Sequence, residues 1–526
     1  MWKKDQDTKG KWYGSIQESL PARPWYHRME DATREFITII NRLRFGHNTA
    51  PSHLARLGII ANKNCSYCNS SDGTMEHIIF DCQKFLIDRL VLASELSDVE
   101  NKCDLLSRPP PLKQLLQDEL NYNAMTSSDR DYVFEPFKVI EVKFEGSESP
   151  RPRSGHRIAC DDVNIYCFGG YNPTLPPNNI QRVNPTWTPA KPLFKELWSF
   201  SIATRKWTQH NVVENMPEEE LASNAHLLIY SFNFIILQIF GGTGAPFGNK
   251  CSNDVITWRT CRGDAKLQIL DVNGHRPPGQ YGQTILCHDG YFYTIGGTNG
   301  YAYNCDIFRL DLRNLTWEPV FVGTGQEGEP MGRYRHEVAR VGEKLYIIGG
   351  GTGDWAFELM EIPTYDLQTN TWNILTPKAD ESTNKAVAPP ARKCHSAVQI
   401  NTPNGIQVFV AGGSDGVYVF DDFWRLNISD LQWTHMQKTV LPHPLYFHSS
   451  TVTSYGCMYV FGGIEPQDDT ICRKNNLYKV WLCIPKLSEI CWEAIIHLYP
   501  NIDRVDRQTL LNIGVPLHFV DRVHPF

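Results

Sequence analysis

At 526 residues the chain is long enough for two or more domains. Its net charge of -7, from 51 Lys and Arg against 58 Asp and Glu, excludes a global basic field that would argue for nucleic acid or a membrane surface as the partner. The N-terminus, MWKKDQDTKGKWYGS, has no apolar run of the kind a secretory signal needs, so the fifteen cysteines are predicted to be free or metal-bound thiols in a reducing compartment, cytoplasmic and also nuclear.

Residues 1–130 are predicted to form a region of their own. Glu30 to Arg44 reads as a helix, with Phe36, Ile39, Ile40 and Leu43 on one face. Behind it come Cys65, Cys68, His77 and Cys82, spaced Cys-x2-Cys-x8-His-x4-Cys, four ligands suited to tetrahedral zinc. The alternative is a set of free cysteines in a collapsed loop. The stretch RLRFGHNTAPSHLARLGIIANKNCSYCNSSDGTMEHIIFDCQKF resembles the segment that follows the ribonuclease H region in non-LTR retrotransposon polyproteins. That resemblance covers about residues 25–95, and no polymerase or nuclease body accompanies it, so no nucleic-acid function is assigned to the whole chain.

From residue 131 to 484 the pattern changes. The alternating segment Phe137, Val139, Glu141, Lys143 reads as a strand. Six Gly-Gly pairs then follow apolar strand-like runs, ending at Gly170, Gly242, Gly297, Gly350, Gly413 and Gly463, at intervals of 72, 55, 53, 63 and 50 residues. Leu227 to Phe240 is the longest apolar stretch, but Ser231, Asn233 and Gln238 interrupt it, and it falls short of the ~20 residues of a membrane helix. It reads as propeller strands.

Four repeats continue to a strand that ends on Trp207, Trp317, Trp372 or Trp433, each placed to pack between neighbouring units. Together these features resemble kelch repeats, whose period is roughly 50 residues. Blade two lacks the Trp at the expected place, and blade six lacks its outer strand. The expectation is an all-β, six-bladed kelch propeller whose last blade is completed by the N-terminal strand around Phe137 to Lys143, because an open sheet edge has to be covered.

A second constellation recurs where the blades open. It comprises Arg153, Tyr281 with Gln283, Arg333 with Arg335 and His336, Arg392 with His395, and Tyr446 with His448. In kelch propellers these positions approach the rim of the central channel, so a carboxylate or polar peptide site is expected there, Arg being suited to bidentate carboxylate recognition. The same residues also fit a structural role between blades, since alternation sends Arg153 and His156 to different sides. No nucleophile, phosphate loop or paired-acid signature accompanies them. A copper oxidase of the galactose oxidase type is the third reading, for which no ligand spacing speaks.

The tail, 485–526, is predicted to be helical, with Leu487, Cys491 and Ile495 on one stripe. This resembles the BC box, Leu-x3-Cys-x3-aliphatic, by which substrate receptors bind elongin C, with Lys486 where a small residue or Pro is usual. The following segment resembles a SOCS or cullin-2 box.

The motifs PRSGHR, ELWSF, FGGTGAPFG, YGQ, RYRHE, IIGGGT, ARKCHS, YFHSS, GCMYVFGG and the tail from LYKVWL onward occur in order over about residues 133–526. They resemble one family of kelch propellers that is similar to substrate receptors of cullin-2 RING ubiquitin ligases. The resemblance implies a non-catalytic subunit that binds C-terminal degrons ending in Gly or Ala. It also implies elongin B/C, cullin-2 and a RING subunit as partners, and a link to oxidative-stress kinase signalling. The alternative is a kelch scaffold in signalling or the cytoskeleton.

Overall fold

The computed structural model describes residues 132–524, apart from 147, 176–186, 188–191, 211–225, 232–234, 262–263, 382–386, 468–469 and 513. The helix expected over Glu30 to Arg44 and the ligand set Cys65, Cys68, His77 and Cys82 lie outside the described residues.

Six antiparallel sheets follow one another along the chain: blade one over 157–210, two over 226–269, three over 284–321, four over 337–375, five over 396–440 and six over 449–481. The second strand of each blade reads as a continuous apolar run, such as Cys457–Phe461, in which every residue is buried. Both of its faces lie against neighbouring sheets, so alternation disappears.

The tryptophans work as expected. Trp207 of blade one packs against Phe461 of blade six, Trp317 of blade three against Phe240 of blade two, and Trp372 of blade four against Phe321 of blade three. Trp433 of blade five donates its indole N–H to the Leu359 carbonyl at 3.2 Å. In blade two the role passes to Trp258, one strand earlier on Val255–Cys261, whose ring meets Tyr166 of blade one at 5.6 Å.

The ring closes as the sequence predicts. Ile140–Val142 pairs antiparallel with Leu477–Trp481, in the register Ile140↔Lys479 and Val142↔Leu477, and so becomes the outer strand of blade six. This strand is shorter than the alternation suggests, because Phe137 takes a left-handed conformation, φ 63°, where its N–H bonds the Trp481 carbonyl. Blade three gains a parallel fifth strand, Asn273–Gly274, and a hairpin, Ile464–Gln467 with Thr470–Arg473, projects from blade six.

Three short helices follow: α1 (Leu487–Leu498), α2 (Arg507–Asn512) and α3 (Leu517–Val523). The propeller unit runs Tyr132–Asp503 and includes His518–Phe526, so α1 and α3 belong to it. No helix among the described residues is long and apolar enough to cross a membrane.

Candidate functional site

Five blades, one and three to six, open on three consecutive residues with separate tasks. The first pairs with the residue after the Gly-Gly of its own blade: Ser154 with Tyr171, Tyr281 with Thr298, Tyr334 with Gly351, Lys393 with Ser414 and Tyr446 with Ile464. The second is left-handed: Gly155, Gly282, Arg335, Cys394 and Phe447 have φ between 55° and 71°. Their backbones join blade to blade. The Arg335 N–H donates to the Gly282 carbonyl at 2.7 Å, Cys394 to Arg335 at 3.2 Å, Phe447 to Cys394 at 3.0 Å and Gly155 to Phe447 at 3.0 Å. This chain of bonds runs from blade three through blades four, five and six to blade one, so these residues line the channel.

The third residue turns back between blades. His156 Nε2 lies 3.0 Å from the Phe461 carbonyl, and Gln283 Nε2 donates to the Phe240 carbonyl at 2.9 Å, each bond crossing to the preceding blade. His336, His395 and His448 hold the same place: a Cβ added to Gly296, Gly349 or Gly412 of the preceding blade would stand 2.8 Å from the ring. A Cβ on the second glycine would meet the histidine of its own blade, at 2.6 Å for both Gly350 with His336 and Gly413 with His395. The Gly-Gly pairs of blades four, five and six are thus each the cradle for two buried imidazoles. Burial pushes the His336 ring down to about 3 and His448 to about 4, and holds His156 and His395 well below the usual range.

The leading arginines are also turned inward, but within their own blades. Arg153 bonds the Gly169 carbonyl and Glu196 and lies over Phe194. Arg392 bonds the Gly412 carbonyl, forms a bidentate pair with Asp422 at 2.7 and 3.0 Å, and lies over Phe420. Arg333 bonds the Gly349 carbonyl at 3.1 Å and lies over Phe357. The expected convergence of Arg153, Arg333 and Arg392 on one pocket is therefore replaced by three intra-blade clasps, those of Arg153 and Arg392 closed by a carboxylate and that of Arg333 by backbone carbonyls.

Of the expected site residues, Tyr281, Arg335 and Tyr446 are brought to the channel mouth. Arg335 is only 4% exposed, and its guanidinium lies 4.7 Å above the Phe447 ring with no hydrogen bond or ion pair among the described residues. Burial lowers its pKa to about 10, so it remains a cation at neutral pH. Around it stand Tyr334, which meets Tyr281 at 6.4 Å and Tyr303 at 5.3 Å between ring centroids.

Two further cations that sequence reasoning missed face the same side. Arg473 donates to Ser154 Oγ at 3.1 Å and lies over Tyr171, and Lys393 Nζ donates to the Thr352 and Gly353 carbonyls at 2.7 Å each. Neither has a carboxylate partner among the described residues. Arg473 sits in the hairpin outside the repeat, where no periodic signal marks it. Lys393 could have been found as the residue aligned with Tyr281 and Tyr446.

At the tail, α1 turns Trp492 onto Phe519, with ring centroids 4.8 Å apart, and buries Glu489 and Glu493 against Arg522 and Lys479. The opposite face carries the expected stripe: Leu487 is 52% exposed, and Cys491 and Ile495 are partly exposed.

A family model for the KLHDC2/KLHL20/DRC7 kelch-repeats domain matches residues 186–402. The chain is 39% identical over 432 residues to the Drosophila melanogaster Kelch domain-containing protein 10 homolog, an alignment spanning 79% of this chain and 69% of the relative. It is 38% identical over 383 residues to human Kelch domain-containing protein 10, covering 72% of this chain and 81% of that one. Bovine Kelch domain-containing protein 2 is more distant, 22% identical over 402 residues.

Proposed function

The chain belongs to the Kelch domain-containing protein 10 family, and from that membership we propose that it is the substrate-recognition subunit of a cullin-2 RING ubiquitin ligase. Its fold family is generally non-catalytic, so the transfer chemistry resides in the recruited partners. In this reading the channel mouth binds C-terminal degrons ending in Gly or Ala, and α1 binds elongin B/C in the cytoplasm and nucleus. The observation that carries it is Arg335, a buried guanidinium with neither a hydrogen bond nor a carboxylate partner among the described residues.

Such a cation is costly unless a ligand supplies the missing charge. A terminal carboxylate would do so through charge-assisted hydrogen bonds. The rings of Tyr281, Tyr334 and Phe447 close in around the site and favour a small last side chain. Arg335 thereby takes the clamping role, with Tyr446, Arg473 and Lys393 around the mouth, while Arg153, Gln283, Arg333, His336, Arg392, His395 and His448 hold the frame.

The test is a titration of one Ala-ended peptide, as free acid and as C-terminal amide, against the wild type and Arg335→Ala. A charge-assisted bond contributes roughly 1.5–3 kcal/mol, so both the amide and the variant are expected to bind about 10- to 100-fold more weakly. Equal affinity for acid and amide would overturn the reading.

A further inference from the structure

Blades one and four stand opposite each other in a ring of six, yet one ion pair joins them. Arg157, the first residue of the innermost strand of blade one, bonds Glu337, the first residue of the innermost strand of blade four, at 2.7 Å. Both side chains are buried, 7% and 11% exposed. Because it connects diametrically opposed blades, the pair crosses the channel axis and forms a floor beneath the mouth.

Glu337 lies two residues after Arg335, and its charge acts on the Arg335 guanidinium. It is the acid that would otherwise neutralise that cation. We infer that Arg157 is a positioning residue for the site: by holding Glu337 across the channel it leaves Arg335 free for an incoming carboxylate, and by flooring the channel it restricts that carboxylate to a chain end. The inference rests on the carboxylate reading of the mouth.

The other titratable groups around the floor carry no charge at neutral pH. Burial keeps His156, His336, His395 and His448 neutral and raises the Cys394 thiol to about 11 and the Tyr334 hydroxyl further still. At the floor itself, Arg157 and Arg335 against Glu337 leave one positive charge, to which Lys393 and Arg473 add at the mouth, so the site as a whole favours an anionic chain end. With the floor closed, a chain entering at the mouth cannot run on through the channel and has to end or turn back there.

The experiment uses the full chain and the same Ala-ended peptide in acid and amide forms, with Arg157→Leu, Glu337→Gln and the double variant. Arg157→Leu is expected to lose about tenfold or more in affinity for the acid, by releasing Glu337 onto Arg335, and to bind acid and amide alike. The double variant lacks the floor but also lacks the competing acid, so its preference for the acid is expected to return. Recovery in the double variant is the outcome that a purely structural brace would not give.

Two results would overturn the inference: an undiminished acid preference in Arg157→Leu, or no recovery in a double variant that melts as the wild type does. Should Arg157→Leu fail to fold, Glu337→Gln carries the test. It unpairs Arg157 beside Arg335 and is expected to tighten acid binding severalfold, and unchanged binding would overturn the inference. A wild type that does not distinguish acid from amide would instead refute the carboxylate reading itself.

Discussion

Arg392 and Arg335 have opposite assignments here, and a pair of variants separates them. Arg392, like Arg333, clasps its own blade, so Arg392→Ala strands Asp422 and is expected to lower stability by about 3 kcal/mol, the cost of breaking a buried pair. Arg335→Ala is expected to leave the melting temperature nearly unchanged and to remove carboxylate binding. Thermal melts alongside peptide titrations check both. The histidines give a second prediction. An unfolded His titrates near 6.5, whereas His448 is held at about 4 in the fold. The unfolded chain therefore takes up the proton first as pH falls, so this stability is complete above about 6.5 and is lost progressively toward 4. Blade three already places Gln283 in the equivalent position, hydrogen bonded to Phe240. His448→Gln is expected to lose less melting temperature between pH 7 and pH 5 than the wild type, and an unaltered slope would refute the assignment.

At the level of the element, the closing strand is the part on which the ring depends. Ile140–Val142 covers the edge of Leu477–Trp481, with Val142 and Phe144 packing on the cluster between blades six and one. A chain starting at Tyr132 is expected to remain monodisperse. One starting at Phe144 exposes an unpaired edge and is expected to melt lower and to self-associate, which light scattering and thermal melts will register. Much of this architecture was legible because its residues have few substitutes: two imidazoles fill the space a Cβ would need at Gly349–Gly350, Gly412–Gly413 and Gly462–Gly463, and the Trp positions recur at blade seams. The site was less legible. The left-handed residue between Tyr334 and His336 reverses which side chain faces the axis, so an expectation based on strand alternation selects Arg333 as readily as Arg335. Arg157 and Glu337 gave no signal, because their partnership across the ring exists only once the ring has closed.

For the whole molecule, the proposal divides the work among three parts of one chain. At the head, Cys65, Cys68, His77 and Cys82 are proposed to hold zinc. The purified chain is then expected to carry one equivalent, lost in the Cys65→Ser, Cys68→Ser variant without a change in peptide affinity. Metal analysis with titration checks this. At the tail, α1 is fastened to the propeller by Trp492 on Phe519, Glu489 on Arg522 and Glu493 on Lys479, none of which involves the opposite stripe. Leu487, half exposed, therefore adds little to the propeller and is free for a partner. Burying an aliphatic side chain in an interface is worth roughly 1.5–3 kcal/mol, and a carboxylate in its place adds the cost of an unpaired buried charge. Leu487→Asp is accordingly expected to abolish capture of elongin B/C while the melting temperature and the affinity for an Ala-ended peptide stay at wild-type values. Retained capture by a folded Leu487→Asp chain would remove the ligase from the proposal and leave a peptide-binding kelch scaffold. Loss of capture together with loss of peptide binding would mean instead that α1 supports the propeller, and that the stripe is part of its packing.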